Sequence, residues 1–188
     1  ECARLVAEAV AAFGRLDILV NNAGVAIRKF PHEYEEAEWH RVMDTNMTSA
    51  FLMSQAAHPH LVKAGGGKVG VTGFCMGGSY ALLLPCVNAD IKAAVPFYGQ
   101  VPNPDTPLQK LSAPVLYFYG EDDGWITKAD VQRLAVAFKK HGKVGEIKTY
   151  PGAPHAFFRD TDPSVYRPEA AKDAWVMAKA FFKQYLTA

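Results

Sequence analysis

The stretch from Lys68 to Leu84, KVGVTGFCMGGSYALLL, constrains what this chain can fold into more than any other. It opens with the small and branched residues of a strand, Val69, Val71 and Thr72. It closes with Ser79, Tyr80, Ala81 and three leucines, which suit a buried helix. Between them lies Gly73-Phe74-Cys75-Met76-Gly77-Gly78. A G-x-nucleophile-x-G turn joining strand to helix is a nucleophile elbow. Its bend is tight, so the flanking positions call for glycine. The middle side chain, here Cys75, then projects from the carboxyl edge of a sheet. A helix starting at Met76 would favour thiolate over thiol and turn backbone N–H groups toward an oxyanion.

Around this elbow the chain alternates strand and helix. Residues 2–13 read as an amphipathic helix ended by Gly14. Leu16 to Val20 read as a short strand, and residues 35–63 as a helix with Trp39, Val42, Met43, Met47 and Phe51 on its apolar face, kinked or ended by Pro59. Gly65-Gly66-Gly67 reads as a loop. Further strands are expected at the elbow (68–73), at Ile91–Tyr98, Val115–Tyr119 and Glu146–Tyr150. Further helices are expected after the elbow, at Lys128–His141 and at Glu169–Leu186, with Trp175, Phe181 and Phe182 in the core. This order predicts a single-domain α/β protein over 1–188. Its five-stranded parallel sheet carries helices on both faces, a three-layer Rossmann-like or flavodoxin-like sandwich. Right-handed crossovers put the connecting helices on one face, leaving the first and last helices for the other.

Composition excludes several classes. Lys+Arg number 20 against Asp+Glu 19, with no basic patch, so no nucleic-acid partner is expected. Cys2, Cys75 and Cys86 form no CxxC pair, which implies neither a disulfide framework nor a zinc site and suits a reducing, cytoplasmic setting. No 18-residue apolar run marks a membrane span. The chain begins at Glu1 without Met, in mid-helix, as a processed, trimmed or engineered protein would.

Two resemblances meet at Lys68. GFCMGGSYALL, AAVPFYG, PVLYFYGEDD and YPGAPHAFFR, in this order, resemble the dienelactone hydrolase family, a branch of the α/β-hydrolases. FGRLDILVNNAG, WHRVMDTNMTSAFLMSQAAHPHL with Asn46, and GGGKV resemble the fourth strand, following helix and next-strand approach of short-chain dehydrogenases. The chain therefore reads as a chimera: a dehydrogenase-like segment over 1–67 and a truncated α/β-hydrolase over 68–188, joined in or near Gly67 to Gly73.

The hydrolase resemblance implies a nucleophile–acid–histidine triad of Cys75, Asp123 and His155. Cys75 attacks a carbonyl, His155 carries the proton, and Asp123 orients the imidazole. The Met76 backbone N–H is the expected oxyanion donor, and Arg159, four residues after His155, is the implied ligand of a substrate carboxylate. Asp122 is the rival acid, though the family's G-E-x-D pattern favours Asp123. The substrates implied are small esters or enol-lactones. The family draws a second oxyanion donor from an N-terminal half that this chain replaces, so activity should be weakened. A catalytically silent chimeric scaffold is the first alternative.

The dehydrogenase resemblance implies little chemistry. No tyrosine has lysine four residues on: Tyr80 meets Leu84, Tyr98 meets Pro102 and Tyr150 meets Pro154. Thr72-Gly73-x-x-x-Gly77-Gly78-Ser79 imitates a phosphate loop but puts Ser79 where its last glycine belongs. A remnant NAD(P)-binding module is thus the second alternative, and no bound cofactor is expected. Asn21, Asn22 and Asn46 are expected to hold neighbouring loops. His58 and His60, an H-x-H pair, read as surface residues rather than metal ligands, so no metal is expected. The 47–58 helix resembles one that pairs between dehydrogenase subunits, which suggests a weak homodimer.

Overall fold

Each run after Gly67 that was expected to be a strand becomes one. β1 (Val69–Phe74), β2 (Ile91–Phe97), β3 (Val115–Gly120) and β4 (Gly145–Tyr150) form one all-parallel sheet in the order β1-β2-β3-β4. The computed structural model describes residues 1–64, 66 and 68–187, so the expected loop glycines Gly65 and Gly67 lie outside the described residues. These gather into two compact units, Glu1–Gly67 and Lys68–Ala188.

In the second unit every sheet neighbour is also a sequence neighbour. Right-handed crossovers therefore stack the connections on one face. α4 (Met76–Leu83) and α5 (Lys128–Lys140) lie there, and Leu82, Val131, Leu134 and Phe138 pack on Ala94, Val115, Tyr117 and Tyr119. α6 (Pro168–Leu186) turns to the opposite face, where Ala174 and Ala178 meet Val95, Phe97, Leu116 and Phe118. Alternate residues of β3 thus feed opposite layers, the two-sided burial of a parallel strand. Burying one such Leu or Phe side chain stabilises the fold by ~1.5–3 kcal/mol. α5 starts on a capping box: Thr127 Oγ1 accepts the Asp130 N–H at 3.2 Å, and Asp130 Oδ2 accepts the Thr127 N–H at 2.8 Å. Trp175, expected in the core, is 43% exposed, because it lies on the flank of α6 rather than on the Ala174–Ala178 stripe.

The expected fifth strand does not form. Leu16 to Val20 enter no ladder, and Ile18 and Val20 are 76% and 75% exposed. An apolar run is a strand only when another strand satisfies its backbone, and this run has no such neighbour in its own unit. In that unit α1 (Cys2–Phe13) ends at Gly14, whose φ of 78° is the left-handed cap expected of it. The long helix is continuous but changes pitch: α2 (Glu36–Met43) passes through a π turn (Asp44–Thr48) into α3 (Ser49–Ala64). Pro59 does not end it, since α3 runs on to Ala64. Trp39, expected on the apolar face, is 54% exposed. Val6 and Ala57 are the buried apolar residues where α1 packs on α3.

Candidate active site

The strand ends decide what meets at the carboxyl edge. Phe74 pairs with Phe97, and Gly120 with Tyr150, so four chains leave the sheet at nearly one level. Cys75 follows β1, Tyr98 follows β2, Asp123 lies three residues past β3, and His155 five past β4. The edge of an open α/β sheet is where ligands bind.

Cys75 is held at φ 55°, ψ −118°, a conformation that costs a non-glycine residue energy and that the surroundings must enforce. The Cys75 N–H donates to the Phe97 carbonyl at 3.0 Å, and the Cys75 carbonyl accepts from the Ser79 N–H at 3.1 Å. Steric demand falls on Gly73, where a Cβ would sit 2.1 Å from the Gly77 carbonyl oxygen. Gly77, expected to be required on the other side of the turn, has open space at that position; Gly78 is the constrained one, with the Phe97 carbonyl 2.4 Å from a would-be Cβ.

The three expected residues converge. His155 Nε2 lies 3.1 Å from Cys75 Sγ, and His155 Nδ1 lies 2.7 Å from Asp123 Oδ2. The Asp123 side chain has no exposed surface, whereas that of His155 keeps 18%. A buried carboxylate requires compensation. Asp123 Oδ1 accepts the backbone N–H groups of Trp125 and Ile126 at 2.8 and 2.9 Å, and Oδ2 takes the imidazole. An ionised carboxylate only accepts, so Nδ1 carries the proton and Nε2 presents its lone pair to the thiol. Of the rival acids, Asp123 makes this contact; Asp122 is exposed, its N–H donating to the Ala153 carbonyl at 3.0 Å.

Two aromatic residues flanking the imidazole were not singled out in the sequence. The Tyr98 ring meets His155 edge-on at 5.0 Å, and the Trp125 ring lies 4.8 Å from it. Both follow directly from the sequence order, since each adjoins a residue ending at the same sheet edge. Burial, then the charges of Cys75 and Asp123, push the Tyr98 hydroxyl above the ordinary tyrosine range. The Met76 backbone N–H opens α4 beside the sulfur. Arg159 instead reaches its own loop: Nη2 lies 3.1 Å from Asp162 Oδ2, and 58% of the side chain is exposed.

The residues for which a dehydrogenase resemblance was expected serve local structure. Asn46, on the π turn, clamps the Val25 backbone: Oδ1 accepts its N–H and Nδ2 donates to its carbonyl, both at 2.8 Å. Asn21 Nδ2 donates to Ser54 Oγ at 3.0 Å, while Asn22 is exposed. Thr72 donates to the Val95 carbonyl at 2.8 Å. His58 and His60, two apart on α3 and expected on the surface, are half-buried; a step of two residues turns about 200° around a helix. Among the described residues no group of three or more His, Cys, Asp and Glu is placed to hold a metal ion. No helix among them is long and apolar enough to cross a membrane.

Comparison with known proteins places this arrangement. The model of the Dienelactone hydrolase family matches residues 17–186, which takes in most of the segment expected to be dehydrogenase-like. Protein usf of Aquifex pyrophilus is 37% identical over 121 residues, 64% of this chain and 52% of that protein. A Saccharolobus solfataricus protein, provisionally named carboxymethylenebutenolidase, is 38% identical over 145 residues, 76% of this chain and 55% of that protein. The chain thus spans about half the length of the curated relatives it matches. The crystal structure of a provisionally named dienelactone hydrolase from Klebsiella pneumoniae superposes with a TM-score of 0.65 at 28% identity, covering 84% of this chain and 71% of that one.

Proposed function

The chain belongs to the dienelactone hydrolase family, and on that premise we propose that it hydrolyses small esters or enol-lactones through a thioester on Cys75. The observation that carries the reading is the unbroken relay Asp123–His155–Cys75, with contacts of 2.7 and 3.1 Å. His155 Nε2 takes the thiol proton as the sulfur attacks the carbonyl carbon. The carbonyl π electrons move to oxygen, and the Met76 N–H donates to that oxyanion. Collapse of the tetrahedral adduct breaks the ester C–O bond, and the imidazolium returns its proton to the leaving alkoxide. Water, deprotonated by the same nitrogen, then attacks the thioester and releases acid and thiol. Asp123 keeps its charge throughout and stabilises the imidazolium.

Activity is weak in this proposal. In sequence, residues 1–67 replace the family's N-terminal half, from which its second oxyanion donor comes, and losing one such donor costs ~100- to 1000-fold in rate. The test is hydrolysis of a chromogenic ester. Turnover that disappears in Cys75→Ala supports the enzyme. Turnover equal in the two proteins leaves a silent scaffold.

A further part of the proposal is that residues 1–67 descend from a short-chain dehydrogenase. Two observations support it: the compact units divide between Gly67 and Lys68, where the two resemblances meet, and Asn46 organises the Asn-Asn-Ala-Gly loop through Val25. The family match from residue 17 weighs against it. Aligning residues 1–67 alone against both families decides the point. Higher similarity to dienelactone hydrolases throughout would remove the chimera.

A further inference from the structure

A cleft of about 420 Å³ opens beside the triad in the second unit. Ser79, Leu83, Gln100, Trp125, Asp130 and Arg133 are among its walls. Two of these touch the chemistry directly. Ser79 donates its N–H to the Cys75 carbonyl at 3.1 Å, while its Oγ accepts the Gln100 N–H at 2.7 Å. Trp125 packs its ring 4.8 Å from the His155 ring. A substituent of a bound ester that leaves the sulfur on this side would reach the cleft past Trp125, which both lines it and packs on His155. Leu83 supplies an apolar wall, and Gln100 and Asn103 supply uncharged hydrogen-bonding groups.

The cleft's charge is already spent. Arg133 Nη2 lies 2.6 Å from Asp130 Oδ1. Asp130 is itself fixed by the Thr127 N–H and hydroxyl, at 2.8 and 2.7 Å on Oδ2, so it does not swing away to release the guanidinium. Partial burial pushes the Asp130 carboxyl upward, but Thr127 and Arg133 outweigh this and hold it below the ordinary carboxylate range. The other arginine expected at the site repeats the arrangement. Arg159 pairs with Asp162 at 3.1 Å, and Asp162 accepts the Ser164 hydroxyl at 2.6 Å. Arg133 and Arg159 are thus each already paired with a carboxylate of the chain itself.

We infer that the cleft walled by Ser79, Leu83, Gln100, Trp125 and the Asp130–Arg133 pair seats one arm of the ester, and that it selects an uncharged arm with hydrogen-bonding capacity over an anionic one. This rests on the proposed cysteine hydrolase for its chemistry but not for its binding test. A carboxylate entering here meets an arginine already neutralised and the Asp130 charge behind it, and it loses its hydration without a partner.

The experiment pairs two esters that differ in charge at one end, p-nitrophenyl butyrate and mono-p-nitrophenyl succinate. With the intact chain, kcat/KM is expected to favour the butyrate by at least tenfold. Asp130→Asn keeps one side-chain oxygen to accept from Thr127 while freeing Arg133, and it should raise the succinate-to-butyrate ratio by about fivefold, the scale of a partly exposed ion pair. Adding Arg133→Gln should erase that gain. Binding is read separately in Cys75→Ala by Trp125 fluorescence, with diethyl succinate and monoethyl succinate as probes and Trp125→Phe identifying the signal. Diethyl succinate should shift it and monoethyl succinate should not. Equal or better use of the anionic ester by the unaltered chain overturns the inference, as does a ratio unmoved by Asp130→Asn. Binding of the neutral probe without hydrolysis upholds the cleft and sinks the enzyme. Turnover in the unaltered chain with no fluorescence response in Cys75→Ala does the reverse.

Discussion

Asp123→Asn separates a working relay from a packed cluster. The wild-type carboxylate has no exposed side-chain surface and three partners: two backbone N–H groups on Oδ1 and the imidazole on Oδ2. The amide keeps its oxygen toward Trp125 and Ile126, because those donors require an acceptor. Its NH2 then faces His155 Nδ1 and forces the proton onto Nε2, so the nitrogen 3.1 Å from the sulfur becomes a donor and cannot accept from the thiol. Loss of general-base assistance costs ~10²- to 10⁴-fold in kcat. Folding stability should change less. A hydrogen bond to a charged group worth ~1.5–3 kcal/mol is lost, while the desolvation of a buried charge is relieved. The assay measures turnover of p-nitrophenyl butyrate, the rate at which iodoacetamide captures Cys75, and thermal melting. Turnover and capture should both fall while the melting transition stays cooperative. A folded Asp123→Asn protein that keeps kcat and capture rate within threefold of wild type would refute the reasoning.

Other outcomes follow from the same geometry. Gly73→Ala places a methyl 2.1 Å from the Gly77 carbonyl, so it should open the elbow, lower the melting temperature and slow iodoacetamide capture of Cys75, whereas Gly77→Ala, with open space at that position, should do none of these. Cys86 is 7% exposed, and burial raises its thiol with Lys143 opposing, so mass-mapped alkylation should label Cys75 in the native protein and reach Cys86 only on unfolding. The Asp105 carboxyl is held below the ordinary range chiefly by its Lys140 hydrogen bond, with burial opposing and His141 adding to the lowering. A depressed carboxyl stabilises above its unfolded value of ~3.9, and that stabilisation disappears as pH falls through the lower folded value. Asp105→Asn should therefore lower the melting temperature at pH 7, and the difference should shrink as pH falls below ~3.9.

The cluster of Cys75, Asp123 and His155 was legible because each residue is announced by local sequence. A strand and a glycine turn point to Cys75; the end of β3 points to Asp123; Pro-Gly-x-x-His after β4 points to His155. Parallel strands in sequential register do the rest by bringing those loops to one edge. Leu16–Val20 was misread because an apolar run encodes burial without naming its neighbour, and no strand in its unit offers one. Of the two outcomes expected at Pro59, a kink or an end, the end does not occur, since α3 carries the proline on to Ala64. The engagement of Arg159 and Arg133 by aspartates three residues away was open to inspection as i,i+3 spacing. Sequence separation alone does not say which partner a long cation chooses.

The central claim is a covalent bond between an acyl group and one sulfur. The direct measurement is acid-quenched intact-mass spectrometry after mixing with p-nitrophenyl butyrate, followed by peptide mapping. The account predicts a gain of one butyryl group on the peptide holding Cys75, formed more slowly in Asp123→Asn and absent from Cys75→Ala. Release of nitrophenol without any such adduct, or at an undiminished rate in Cys75→Ala, would contradict it.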